Sequence, residues 1–246
     1  MIASLQAQML FPVHAVGPAQ PVPATAEKLR LQTDDGDELH GLHIPPAGRD
    51  SRRLVLGFGG NAWNGSDVAL FLHKLYPDAH VIAFHYRGYR PSTGSPSAKA
   101  LLADAPLVHD FAVERVQPDA TIAVGFSIGS GIAASLAARR QLAGVILVTP
   151  FDSLKAVAAS LFPWLPVGAF FAHEIDTAAA LRDVDVPVAI IAAEHDEIIP
   201  AARTDALRSS VDPAFDRTIA GAGHNDIYQR REFEAAMREA LAKLIP

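Results

Sequence analysis

Residues 121–131 read Thr-Ile-Ala-Val-Gly-Phe-Ser-Ile-Gly-Ser-Gly, an apolar run that breaks at a serine with glycine two positions away on either side. The following residues, Gly131 to Ala138, are mostly small and suit a helix packed closely on a sheet. A serine caught between strand and helix occupies a sharp, strained turn. Side chains at 125 and 129 would collide with each other and with neighbouring strands, which accounts for both glycines. A helix starting at Ile128 aims unpaired N–H groups and the positive end of its dipole at Ser127. Negative charge that develops there during an acyl transfer is stabilised by them.

A serine hydroxyl is a poor nucleophile at neutral pH, so it needs an imidazole to take its proton and a carboxylate to fix that imidazole's tautomer. After Ser127 the chain holds only His173, His195 and His224, and only His224 follows both a late strand and a candidate acid. It lies in the open loop Gly221-Ala222-Gly223-His224-Asn225-Asp226. The turn Glu194-His195-Asp196-Glu197 follows an apolar strand and offers the acid. Asp196 is assigned, with Glu194 and Asp152 as the alternatives; Asp152 also suits a helix cap. His195 is read as a surface residue or a neighbour of the acid.

The rest of the chain alternates strands and helices. Strands are expected at 54–58, 80–84, 120–124, 144–148, 187–193 and 215–220, with helices at 67–76, 98–116, from 128 and from 227. That rhythm predicts an α/β fold with a mostly parallel central sheet covered by helices on both faces. Ahead of it, residues 27–33 and 38–44 alternate polar and apolar around Asp34-Asp35-Gly36-Asp37, predicting an antiparallel hairpin at one sheet edge. Residues 1–26 carry four prolines between 12 and 26 and read as an arm that Met9, Leu10 and Phe11 dock. The span 27–246 reads as one domain. Between about 151 and 184 short pieces rich in large apolar residues predict a short cap insertion, to which Trp164 belongs.

The loop Gly59-Gly60-Asn61-Ala62 follows the strand at 54–58 and lets backbone approach a substrate, so the Asn61 N–H is paired with the Ile128 N–H as an oxyanion hole. Trp63, Phe126 and Trp164 are candidates to line an acyl pocket. His40 and His43 are three apart on a strand and face opposite sides, which argues against a metal. Arg87-Gly88-Tyr89-Arg90 lacks a phosphate-loop sequence and reads as structural. No cofactor is needed.

A formal net charge of −6 without a basic block disfavours nucleic acid and anionic membrane as partners. Zero cysteines exclude a disulfide framework, a thiol nucleophile and a cysteine-based zinc site. The first residues lack the basic start and apolar core of a signal peptide, and no span approaches eighteen uninterrupted apolar residues. The expectation is a soluble cytoplasmic protein acting on a small molecule, with its oligomeric state left open.

From about Glu27 onward the sequence resembles the α/β-hydrolase fold serine hydrolases, in particular the compact subgroup that includes acyl-protein depalmitoylases and many bacterial hydrolases of unassigned substrate. Several blocks carry the resemblance in order: Gly60-Asn61-Ala62, Tyr86-Arg87-Gly88-Tyr89, Ser92-Thr93-Gly94-Ser95-Pro96, Gly125-Phe126-Ser127-Ile128-Gly129 and Pro150-Phe151-Asp152-Ser153-Leu154. Phe162-Pro163-Trp164-Leu165-Pro166-Val167, Val186-Pro187-Val188, Asp196-Glu197-Ile198-Ile199-Pro200 and Gly223-His224-Asn225 follow.

The resemblance implies a Ser-His-Asp hydrolase of a carboxylic ester or thioester. An amidase or peptidase with the same three residues, and a binding protein that kept the fold without the chemistry, are the other readings. The chain departs from the family pattern at Gly59, where a histidine is usual, at His85, where an aspartate is usual, and at Arg90, where a glycine is usual. The missing loop histidine bears on efficiency and substrate preference rather than on reaction type. Relatives often carry an N-terminal anchor or signal, and none is expected here.

Overall fold

Eight strands form one sheet in the order β1-β2-β4-β3-β5-β6-β7-β8. They are β1 Glu27–Gln32, β2 Glu38–Ile44, β3 Arg53–Phe58, β4 His80–Phe84, β5 Ala120–Phe126, β6 Gly144–Val148, β7 Val188–Ala193 and β8 Phe215–Ile219. β2 runs antiparallel to both β1 and β4, and all other neighbours are parallel. The expected hairpin therefore forms the edge of a parallel sheet. This computed structural model describes residues 2–48, 52–161 and 171–245.

Strand alternation splits the core into two faces. Leu54, Leu56, Ala123, Leu147 and Ile190 point to one face, under α3 (Ala98–Val116) and α4 (Ile128–Ala137). Val55, Val124, Ile146 and Ile191 point to the other, under α2 (Gly65–Leu75) and the C-terminal helix at Arg231–Leu244. Every residue of α4 is buried, which explains its small side chains. Each large aliphatic side chain sealed this way contributes about 1.5–3 kcal/mol.

Caps set the helix starts. Asn64 accepts from the Asp67 N–H at 2.9 Å, so α2 begins at Gly65, two residues before the start read from the sequence. Ser97 accepts from the Ala100 N–H at 3.1 Å at the head of α3. The final helix begins at Arg231, after a separate 3₁₀ turn at Ile227–Gln229, rather than at 227.

The N-terminal arm is more structured than its prolines suggest. It opens with α1 (Ile2–Leu10) and makes a 3₁₀ turn at Val13–Ala15, with Phe11 only 1% exposed in the core.

Between β6 and β7 lie α5 (Leu154–Leu161) and α6 (Thr177–Leu181). Leu154, Val157, Ile175 and Leu181 are buried in the same core as α4. A Cβ on Gly131 of α4 would come within 2.3 Å of Ile175, so this part of the expected cap packs tightly on the central helix. Trp164 and the rest of 162–170 lie outside the described residues. The remaining helices among the described residues are α7 (Ala201–Ser210) and α8 (Arg231–Leu244). Among the described residues no helix is long and apolar enough to cross a membrane.

Candidate active site

Ser127 stands where β5 ends and α4 begins, with φ 51° and ψ −118°. A non-glycine residue holds such a backbone only where its surroundings enforce it. Here they do. A Cβ at Gly125 would lie 2.2 Å from the Gly129 carbonyl oxygen, and a Cβ at Gly129 would lie 2.1 Å from that of Phe58 on β3. The two glycines let strand, turn and helix close on one another, and the Ser127 N–H donates to the Val148 carbonyl at 2.9 Å.

His224 reaches Ser127 from the loop after β8. Its Nε2 lies 3.0 Å from Ser127 Oγ, and its Nδ1 lies 2.9 and 2.8 Å from the two carboxylate oxygens of Asp196. A carboxylate only accepts, so Nδ1 carries the proton and Nε2 is left to accept from the serine hydroxyl. The loop is fixed independently: the His224 N–H donates to Glu197 at 3.0 Å, and the Gly223 N–H to Asp226 at 2.8 Å. Asp196 Oδ1 also accepts from the Ile198 and Ile199 N–H groups at 2.9 and 2.7 Å. The Asp196 and His224 side chains are only 7% and 6% exposed, which removes competition from water.

The other acids considered are engaged elsewhere. Glu194 accepts from the Gly221 N–H at 2.7 Å, and Asp152 pairs with Arg203 at 3.2 Å. The His195 side chain is 71% exposed.

The loop after β3 lies over the serine. A Cβ built on Gly60 would sit 3.8 Å from Ser127 Cβ, and Asn61 lies in the exposed turn that follows. Ile128 is the first residue of α4, where N–H groups lack helical partners. What the sequence reading did not find is how this loop is held. The Tyr86 hydroxyl donates to the Gly59 carbonyl at 2.7 Å, and the Tyr89 hydroxyl donates to the Asn61 carbonyl. With both carbonyls turned toward the tyrosines, the loop is pinned on either side of Gly60. Burial pushes both phenols above their usual range, so they remain donors.

The tyrosine loop is anchored in turn by Arg87. Its guanidinium bonds Asp104 of α3 at 2.5 and 3.1 Å, and Asp35 and Asp37 of the β1–β2 turn at 2.5 and 2.9 Å. Three carboxylates thus occupy the arginine in the segment that read as structural.

A cavity of about 370 Å³ opens over Ser127 and His224, walled by Trp63, Phe71, Ile198 and Tyr228. Trp63, a pocket candidate in the sequence, is among these walls. Phe126 does not: it has no exposed surface and lies behind Trp63, ring centroids 5.1 Å apart. The reason is strand periodicity, because Phe126 shares its face of β5 with Ile122 and Val124, inside the core. Tyr228 and Phe71 form the wall that the sequence reading missed, contributed by the turn before α8 and by α2.

The comparisons with known proteins agree with this architecture. Residues 54–175 match the model of the alpha/beta hydrolase fold family. An uncharacterized protein of Mycobacterium tuberculosis is 33% identical over 220 residues, spanning 85% of this chain and 78% of that protein. The lysophosphatidylserine lipase ABHD12 of Danio rerio is 28% identical over 208 residues, 69% of this chain but only 54% of that protein. Among solved structures, the Pyrococcus furiosus esterase PF2001 superposes with a TM-score of 0.73 at 16% identity, covering 94% of this chain and 97% of the esterase. An alpha-beta hydrolase from Vibrio vulnificus gives 0.77 at 17% identity, covering 97% and 92%. At such identities the structural likeness speaks for the fold alone. With the sheet order, the elbow at Ser127 and these matches together, the chain belongs to the alpha/beta hydrolase fold family.

Proposed function

We propose that the protein hydrolyses a carboxylic ester or thioester through an acyl-enzyme on Ser127. The observation that carries the reading is the continuous hydrogen-bond chain Ser127 Oγ, His224 Nε2, His224 Nδ1, Asp196. Ser127 Oγ attacks the carbonyl carbon while its proton passes to His224 Nε2, and the carbonyl electron pair moves onto oxygen. The Asn61 and Ile128 N–H groups receive that oxyanion. Asp196 holds the imidazole in register and stabilises the imidazolium. Collapse of the intermediate breaks the bond to the alcohol or thiol, which leaves with the proton from His224. Water, deprotonated by the same histidine, then releases the acid and restores the serine.

The walls of Trp63, Phe71 and Tyr228 favour an apolar acyl group of modest size. The hydrolase and esterase neighbours, and a relative named as a lipase, support the same class.

A fluorophosphonate probe and p-nitrophenyl esters of increasing chain length test it, beside matched thioester and amide substrates. Stoichiometric labelling that disappears in Ser127→Ala, with turnover of esters or thioesters above amides, is the expected result. Full labelling of Ser127→Ala removes the serine from its role, and absence of both labelling and turnover leaves the fold as a binding scaffold.

A further inference from the structure

A larger cavity, about 870 Å³, lies between the N-terminal arm and the outer face of the β1–β2 edge. It shares no lining residue with the cavity over Ser127. The arm forms its roof and is tied down beyond it: the Gln20 N–H donates to Asp67 at 2.8 Å, and Asn64 Nδ2 donates to the Gly17 carbonyl at 3.4 Å. Its walls combine two chemistries. Val16, Val22 and Leu42 supply apolar surface, while Lys28 and Arg90 supply positive charge; Arg30, the third cation of the lining, already faces Glu38 at 4.0 Å.

Among the described residues no aspartate or glutamate lines this cavity, although the chain as a whole carries a formal net charge of −6; Glu38, just outside the lining, bonds His40 at 2.6 Å. Lys28 and Arg90 make no ion pair with a carboxylate of the described residues, which leaves them as the unpaired cations of the lining. At one end lies His85, 5% exposed, whose Nε2 bonds Ser66 Oγ at 3.0 Å and whose Nδ1 has no partner. Burial keeps this imidazole neutral at ordinary pH. A buried polar nitrogen without a partner is costly unless something fills the space beside it.

We propose that this arm-roofed cavity is a binding site for a single-tailed organic carboxylate, its headgroup between Lys28 and Arg90 and its tail along the apolar walls. The volume falls within the range of ordinary small-molecule sites. The acid-free lining selects an anion over a neutral amphiphile, and the apolar walls select a tail over a small anion such as acetate. The site does not use Ser127, so it stands or falls separately from the hydrolase reading.

The test is calorimetric titration of the full chain with decanoate, decanol and acetate. Expected are one saturable decanoate site per chain, and binding of decanol and acetate weaker by about tenfold or more. The double variant Lys28→Gln/Arg90→Gln should weaken decanoate about tenfold while the melting temperature holds. Ala19→Trp, which fills the cavity from the roof, should abolish binding, and Ser127→Ala should leave it unchanged. The proposal is overturned if decanoate does not saturate, if decanol binds equally well, or if neither cavity variant weakens binding. Loss of binding in Ser127→Ala also overturns it, because that places the ligand in the other cavity.

Discussion

The hydroxyl of Tyr86 donates to the carbonyl of Gly59 at 2.7 Å, so a residue from the turn after β4 fixes the backbone of the loop after β3, directly above Ser127. Tyr89 makes the equivalent bond to Asn61. These two positioning residues hold the loop from both sides of Gly60. Tyr86→Phe and Tyr89→Phe should each lower kcat on a p-nitrophenyl ester by about tenfold. The pair should approach the 10² to 10³ expected for losing one oxyanion donor. A merely structural role would reduce the melting temperature and leave kcat per folded molecule unchanged, so kcat of the folded fraction decides between them.

The carboxylate of Asp196 offers a sharper separation of orientation from nucleophilicity. Asp196→Asn keeps the volume but can present an amide N–H to His224 Nδ1, favouring the wrong tautomer for accepting from Ser127. A fall in kcat on the order of 10⁴ is expected, with KM nearly unchanged. Glu194→Gln should leave kcat within about twofold, since Glu194 bonds Gly221 instead. Equal effects from the two variants would remove Asp196 from the role proposed for it.

Much of this was legible in the sequence because it rests on local chemistry. The hairpin alternates around Asp34-Asp35-Gly36-Asp37, and the strands read as short apolar runs. Strand alternation also held the position of Phe126, in phase with Ile122 and Val124 and therefore facing the core. Other features are long-range and left no local mark. The Tyr86–Gly59 bond joins residues 27 positions apart across adjacent strands, and β4 lying between β2 and β3 is what brings them together. The α1 helix was obscured by the prolines that follow it, though its own nine residues contain none. The wall residue Tyr228 could have been inferred only from where the turn before α8 lands.

The glycines of the elbow are expected to matter through contact rather than conformation. Gly129→Ala would force a methyl to within 2.1 Å of the Phe58 carbonyl oxygen and 2.6 Å of that of Gly59. Both atoms are backbone and belong to the end of β3 and the loop it feeds, so relief requires the sheet to shift. A loss of about 3 kcal/mol in urea unfolding is expected. Gly36→Ala is the control: its φ is +91° but nothing lies within 4 Å, so only a conformational cost of about 1–2 kcal/mol applies. If the two variants lose the same stability, close packing is not the reason for glycine at 129.

Stability should also depend on pH through His85. Burial, reinforced by the neighbouring His40, lowers this imidazole from 6.5 to about 4. As pH falls, the unfolded chain takes up a proton near 6.5, whereas the folded chain does so only near 4. The unfolded state therefore binds more protons throughout that window, and stability falls with falling pH there. The contribution is intact above about 6.5 and is lost progressively toward pH 4, amounting to roughly 3 kcal/mol. Urea unfolding of the native chain and of His85→Leu at pH 7 and pH 4 isolates it, because other titrating groups are common to both proteins. The native chain should lose roughly 3 kcal/mol more than the variant between the two pH values. Equal losses would mean that His85 charges as readily in the folded protein as in the unfolded one, which its burial beside Ser66 and His40 argues against.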